Sequence, residues 1–122
     1  MARRTDRITV RFEAADLVKE TPKISANKGV HQGQMVGFKL VMPNFVNAIT
    51  ATVAIKDGDG DVLYTSGAQA ENGVRIVMGL NIPLIERETI VITLSGAHGG
   101  VVPETYGDVS VLLYYNPDVL IP

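Results

Sequence analysis

Cysteine and tryptophan are both missing from this chain of 122 residues. Without cysteine there is no disulfide framework, no thiolate metal site and no cysteine nucleophile, and the redox compartment is left open. With three Phe and four Tyr, aliphatic side chains must fill the core. Charge is also sparse: 20% of residues are charged, 46% are hydrophobic, and the net charge is −2. Such a balance does not recruit nucleic acid by bulk electrostatics. No apolar run approaches the ~18 residues that span a bilayer, so no membrane partner is expected. The first twenty residues lack the continuous apolar stretch and small-residue cleavage site of a secretory signal. The expectation is a protein kept in the cytosol, or assembled from there into something larger.

Catalytic and metal-binding patterns are also absent. No GxSxG surrounds a serine, and there is no HExxH, Walker loop or GxGxxG after a strand. Asp57, Asp59 and Asp61 imitate the opening of a calcium loop. That loop needs glycine at its sixth position and a bidentate glutamate at its twelfth, and Val62 and Ala68 stand there. A polar turn explains the three acids better. His31 and His98 lie in glycine-bearing segments with no spacing that implies a triad. Glu86 and Glu88 around Arg87 read as solvated charges leading into a strand. The chain is expected to be no enzyme, with no cofactor and no metal.

What is present is alternation. The stretch Ala48 to Ser66 places Ile49, Ala51, Val53 and Ile55 on one side, turns at Asp57-Gly58-Asp59-Gly60, and resumes at Val62 and Tyr64. This predicts a hairpin. A four-residue loop would set Ile55 opposite Val62 and Val53 opposite Tyr64; two-residue loops at either Asp-Gly slide the partners by two and keep the facing. Further strands are predicted at Arg7–Glu13, Gln34–Met42, Val74–Leu80, Thr89–Leu94 and Asp108–Tyr115. In Gln34–Met42 the two sides are Val36, Phe38, Leu40, Met42 and Met35, Gly37, Lys39, Val41. In Val74–Leu80 they are Val74, Ile76, Met78, Leu80 and Arg75, Val77, Gly79. Ala14 to Val18 has the makings of one helical turn, and Pro83 keeps its segment from running far into a central strand. About seven short strands separated by turn signals predict an all-β, single-domain antiparallel β-sandwich, jelly-roll or Ig-like.

Two ends stand apart from that core. Residues 1–28, a basic N-terminal strand or arm and loop, hold seven of the eleven basic residues against four of the thirteen acids. Their net of +3 leaves −5 for the rest. Residues 29–115 form the sandwich, and residues 116–122 (NPDVLIP) are an apolar tail whose Val119, Leu120 and Ile121 are expected to pack on this domain or a neighbour. The expected partner-binding residues are Arg3, Arg4 and Arg7 in the arm, Val119, Leu120 and Ile121 in the tail, and His98 and Tyr106 in the turn-rich loop Gly96–Gly107.

The phrases MVGFKLVMPNFVNAITATVAIKDGDGDVLYTSGA and MGLNIPLIERETIVITLSGAHGG resemble small, cysteine-free β-proteins of tailed bacteriophage virions. The resemblance covers Gln34 to Tyr115 and includes no diagnostic motif. It implies a structural role: a capsid decoration (cement) protein, or a head–tail junction or tail protein. It also implies that the chain is found in the virion after assembly in the host cytoplasm, as a homo-oligomer such as a trimer on the major capsid protein or other virion proteins. A stand-alone ligand- or carbohydrate-binding sandwich is the rival reading. The absence of Trp, and the opposite facing of Tyr114 and Tyr115, weigh against sugar stacking.

Overall fold

The computed structural model describes residues 4–21, 34–83 and 88–116. These form nine strands and no helix: β1 Arg4–Phe12, β2 Val18–Glu20, β3 Gln34–Val41, β4 Thr50–Lys56, β5 Val62–Thr65, β6 Gln69–Ala70, β7 Val74–Pro83, β8 Thr89–Leu94 and β9 Gly107–Asn116. The seven predicted strands are all present, and the two short ones, β2 and β6, are additional. The expected helical turn at Ala14 to Val18 is absent: Ala14 and Ala15 form a turn and Val18 opens β2. The Asp16 N–H donates to the Glu13 carbonyl at 3.0 Å, and Asp16 Oδ2 accepts the Glu13 N–H at 2.8 Å, a side-chain closure that competes with helix.

The strands pair antiparallel in two sheets, β1-β9-β3-β7 and β2-β8-β4-β5, with β6 beside β4. Set β6 aside, and the order is that of a long hairpin rolled up. The tip is β4–β5, and outward from it come the pairs β3 with β7, β2 with β8, and β1 with β9, each hydrogen-bonded. This nesting is a jelly roll and decides between the two sandwich types the sequence allowed. β9 is central to its sheet, bonding both β1 and β3.

One face of each sheet turns inward. Phe12, Phe38, Leu40, Val53, Ile55, Ile90, Ile92, Val109, Val111 and Leu113 are fully buried between them. The hairpin faces as expected on β4, where Ala51, Val53 and Ile55 are inside. Its register differs from the four-residue loop: Ile55 opposes Tyr64 and Ala54 opposes Thr65, while a bulge shifts Lys56 onto Val62. The extra residue turns Val62 outward, 55% exposed, since a bulge reverses facing beyond it. Asp57 organises the turn. Its Oδ1 accepts the N–H groups of Asp59 and Asp61 at 2.9 and 3.0 Å.

A second bulge separates Met35 from Gly37 on β3, opposite β7 between Ile82 and Met78. It carries Met35 into the core together with Phe38 and Leu40, although sequence alternation puts Met35 on the other side. Across from it Gly79 takes φ +81, a left-handed conformation that glycine adopts without Cβ strain. β7 consequently changes facing midway. Val77 packs inward before the glycine, and Leu80 and Ile82 pack inward after it.

Candidate partner-binding surface

The predicted contact residues that are described do not form one patch. Arg3, Val119, Leu120 and Ile121 lie outside the described residues. Arg4 is paired with Tyr115 and Arg7 with Leu112, so this part of the basic segment is strand β1 of the sandwich, with Arg7 exposed. The loop Gly96–Gly107 lies at the far end of the same pairing, where Phe12 opposes Gly107. β9 has ten residues, which separates the two ends by about 30 Å.

His98 faces inward rather than toward a partner. It is 0% exposed. Its Nε2 lies 2.6 Å from the Glu13 carbonyl, and its Nδ1 accepts the Gly100 N–H at 2.8 Å. A carbonyl can only accept and an amide N–H can only donate, so the ring carries its proton on Nε2. The ring also packs on Phe45, with centroids 4.7 Å apart. Gly100, at φ +76, sits where a Cβ would overlap the Glu104 carbonyl. The His98 and Gly100 carbonyls accept the N–H groups of Asn47 and Val46. His98 therefore ties the β1–β2 turn, the loop before β4 and the long loop together at one end of the sandwich.

Tyr106 is half-buried under Arg11, whose guanidinium carbon lies 3.9 Å from the ring centroid. Arg11 Nε also donates to Asp108 Oδ1 at 3.0 Å. That hydrogen bond, helped by the Asp108 charge, raises the Arg11 pKa further. Arg11, Tyr106 and Asp108 thus satisfy one another at the β1 margin. In the turn after β1, the hydrogen bond from Glu13 is the main cause holding the Asp16 carboxyl below its ordinary value. Lys19, 3.2 Å away, adds to it. Glu88, expected to be solvated, is buried instead, while Glu86 and Arg87 lie outside the described residues.

The surface that the sequence did not single out is the outer face of the four-stranded sheet toward β7. Val74, Ile76 and Met78 are 50%, 61% and 45% exposed. The pairings place them in cross-sheet rows: Val74–Val41–Ser110–Thr9, Ile76–Lys39–Leu112–Arg7 and Met78–Gly37–Tyr114–Thr5. Val41, Leu112 and Tyr114 are half-buried, so the apolar surface continues inward from the margin. The signal was present in the alternation Val74, Ile76, Met78. Which side of it faced the core was not.

No family model and no curated protein matches the chain. Among solved structures it is similar to the coat protein of tobacco streak virus, with 14% identity and a TM-score of 0.46 over 95% of this chain and 90% of that one. It is also similar to a chain in the structure of infectious bursal disease virus, Gt strain, with 17% identity and a TM-score of 0.33 over 93% of this chain. The Gx strain gives 14% and 0.29. This chain spans 36% of the length of each bursal disease virus chain. Likenesses this distant bear on neither mechanism nor partner.

Proposed function

We propose that this protein is a non-enzymatic structural component of a tailed-phage virion, a capsid decoration protein that binds the outer shell as an oligomer. The observation that carries the reading is the apolar margin of the four-stranded sheet. Large aliphatic side chains exposed together at an open strand fit a surface made to be covered by protein. Two further points support it. The phrasing of Gln34 to Tyr115 resembles small phage virion proteins, and nested jelly-roll strands are an architecture that viral shells use, by analogy of fold. A rigid sandwich that meets neighbouring copies stabilises a shell by adding many weak contacts, which repetition on a lattice makes strong.

Quantitative mass spectrometry of purified particles tests the reading through the copy number of this chain relative to the main shell protein. A ratio within a small factor of one is expected. A ratio at the low percent level would move the protein to a neck or tail position, and absence from particles would overturn the virion role. Truncations meant to probe the basic segment must stop before Arg4, because β1 begins there and its removal strips a strand from the sheet.

A further inference from the structure

The backbone of β7 is as open as its side chains. β7 ends the order β1-β9-β3-β7, and among the described residues nothing pairs with its far side. The Met42 N–H donates to the Gly73 carbonyl at 2.8 Å, in the register that sets Val41 opposite Val74 and Lys39 opposite Ile76. Hydrogen-bonded and non-hydrogen-bonded pairs alternate along an antiparallel ladder. Leu40·Arg75 and Phe38·Val77 are therefore bonded pairs. The N–H and C=O groups of Val74, Ile76 and Met78 consequently point away from β3, toward the open side. These outward groups, unbonded among the described residues, belong to the same three residues whose apolar side chains are exposed.

We infer that β7 pairs antiparallel with β7 of a second copy of this chain, about a two-fold axis at Ile76. This register sets Ile76 against the second copy's Ile76, and Val74 against its Met78 on either side. It uses every outward N–H and C=O of the regular segment before the Gly79 bulge, giving six hydrogen bonds by the same alternation. An isologous contact needs a self-complementary patch, and the sequence Val74-Arg75-Ile76-Val77-Met78 supplies one. On the outer face six aliphatic or thioether side chains then lie side by side across the axis.

Charge permits the contact here and opposes it at the opposite margin. Arg75 is the one charged residue of β7. It is turned from the outer face, with Nη1 3.5 Å from the Ala68 carbonyl, and the register places it across from Val77 rather than another arginine. Lys39 is one strand in from the margin. Its distance to the second copy's Lys39 is three strand spacings, about 14 Å, beyond the ~8 Å screening length at physiological salt. β1, by contrast, carries Arg4, Asp6, Arg7 and Arg11, and a two-fold at Arg7 or Thr9, the middle of the strand, would set arginine against arginine. Pairing over five residues falls well short of the ~800 Å² per partner of a stable interface. The free dimer is therefore weak and its population rises with concentration. The inference deepens the oligomeric part of the proposed function and rests on the chain meeting copies of itself. It is tested on free protein, so its failure is distinct from failure to appear in particles.

Cysteine crosslinking tests the register, since the chain has no cysteine of its own. In an antiparallel bonded pair the two Cα atoms at the axis are about 5.5 Å apart. The same residue four positions off register is about 14 Å from its counterpart. With a short thiol-to-thiol crosslinker, Ile76→Cys is expected to form covalent dimers on the order of tenfold faster than Val74→Cys or Met78→Cys. The control Val62→Cys, on the other sheet, should match the slow pair. The double variant Val74→Cys/Met78→Cys should regain fast crosslinking. Ile76→Lys should shift sedimentation toward monomer while melting is unchanged. Equal rates at all positions would overturn the inference. So would an Ile76→Cys protein that stays monomeric, whether its thiol reacts freely with maleimide or is shielded by another segment of the same chain.

Discussion

At one margin of the four-stranded sheet, β1 sets Arg7 and Arg11 toward solvent; at the other, β7 sets Val74, Ile76 and Met78 there. Both strands are long, and each has one neighbour in the sheet. Their side chains resolve the open edge in opposite ways. On β1 one of these charges engages groups of the same molecule, Arg11 being held by Asp108 and laid over Tyr106. Edge charges of this kind discourage pairing with another strand. On β7, among the described residues, nothing comparable guards the regular segment, which ends at the Gly79 bulge. An edge left apolar within a molecule that charges its other edge is the contrast on which the inferred β7 contact rests.

The largest effect tests how far the two margins depend on the strand between them. Leu113 lies buried on β9, which holds β3 on one side and β1 on the other. Leu113→Ala should lower stability in denaturant titration by about 2–5 kcal/mol. Amide exchange should quicken in β1 and β7 together, and quickening in one alone would mean that the margins open independently. Next comes the end of the sandwich on which β1 rests. His98→Ala removes two hydrogen bonds and a ring contact, for an expected loss of about 2–3 kcal/mol. Exchange should rise at Gly100 and in the turn after β1, and β7 should be unaffected.

Exchanging the character of the margins gives smaller effects on stability and sharper ones on association. Arg7→Val replaces a central cation of β1 with an aliphatic residue and should raise self-association several-fold in sedimentation, with melting little changed. No rise would mean that charge is not what protects β1. The smallest effect concerns Asp16 in the turn that leaves β1. Its folded-state pKa is lowered below the ordinary value of 3.8, so its contribution is complete above that unfolded value and is lost as pH falls through the lower folded one. The stability difference between the parent and Asp16→Ala should therefore be constant near neutral pH and shrink only below about pH 4. A difference that changes between pH 5 and 8 would assign it to another group.

Much of this architecture was legible because turns and alternation are local. Pro43-Asn44, the Asp-Gly repeat after Lys56 and the glycines before β9 separate the strands, and the hairpin that reads most clearly in the sequence is the tip of the rolled-up chain. The short strands β2 and β6 escaped because two or three residues carry no period. The candidate surface escaped for a different reason. Alternation defines two sides of a strand equally well, and Val74, Ile76 and Met78 have the composition of a core face. They are outside because Phe38 and Leu40 of β3 pair with Val77 and Arg75, which fixes the inner side of β7 by its neighbour. His98 was legible as a loop histidine, but its burial depends on Glu13, 85 residues away in sequence.

The sequence by itself determined the seven longer strands, their separating turns, the all-β class and the inward face of β4, since these arise from a period of two and from residues that end it. The tertiary structure alone decided that the sandwich is a jelly roll, that β7 is a margin while β9 is central, and that Met35 goes in while Val62 and Ile76 go out. Those outcomes depend on partner strands and on bulges. One inserted residue reverses the facing of the strand beyond it, and whether it is inserted is settled by the strand across the ladder.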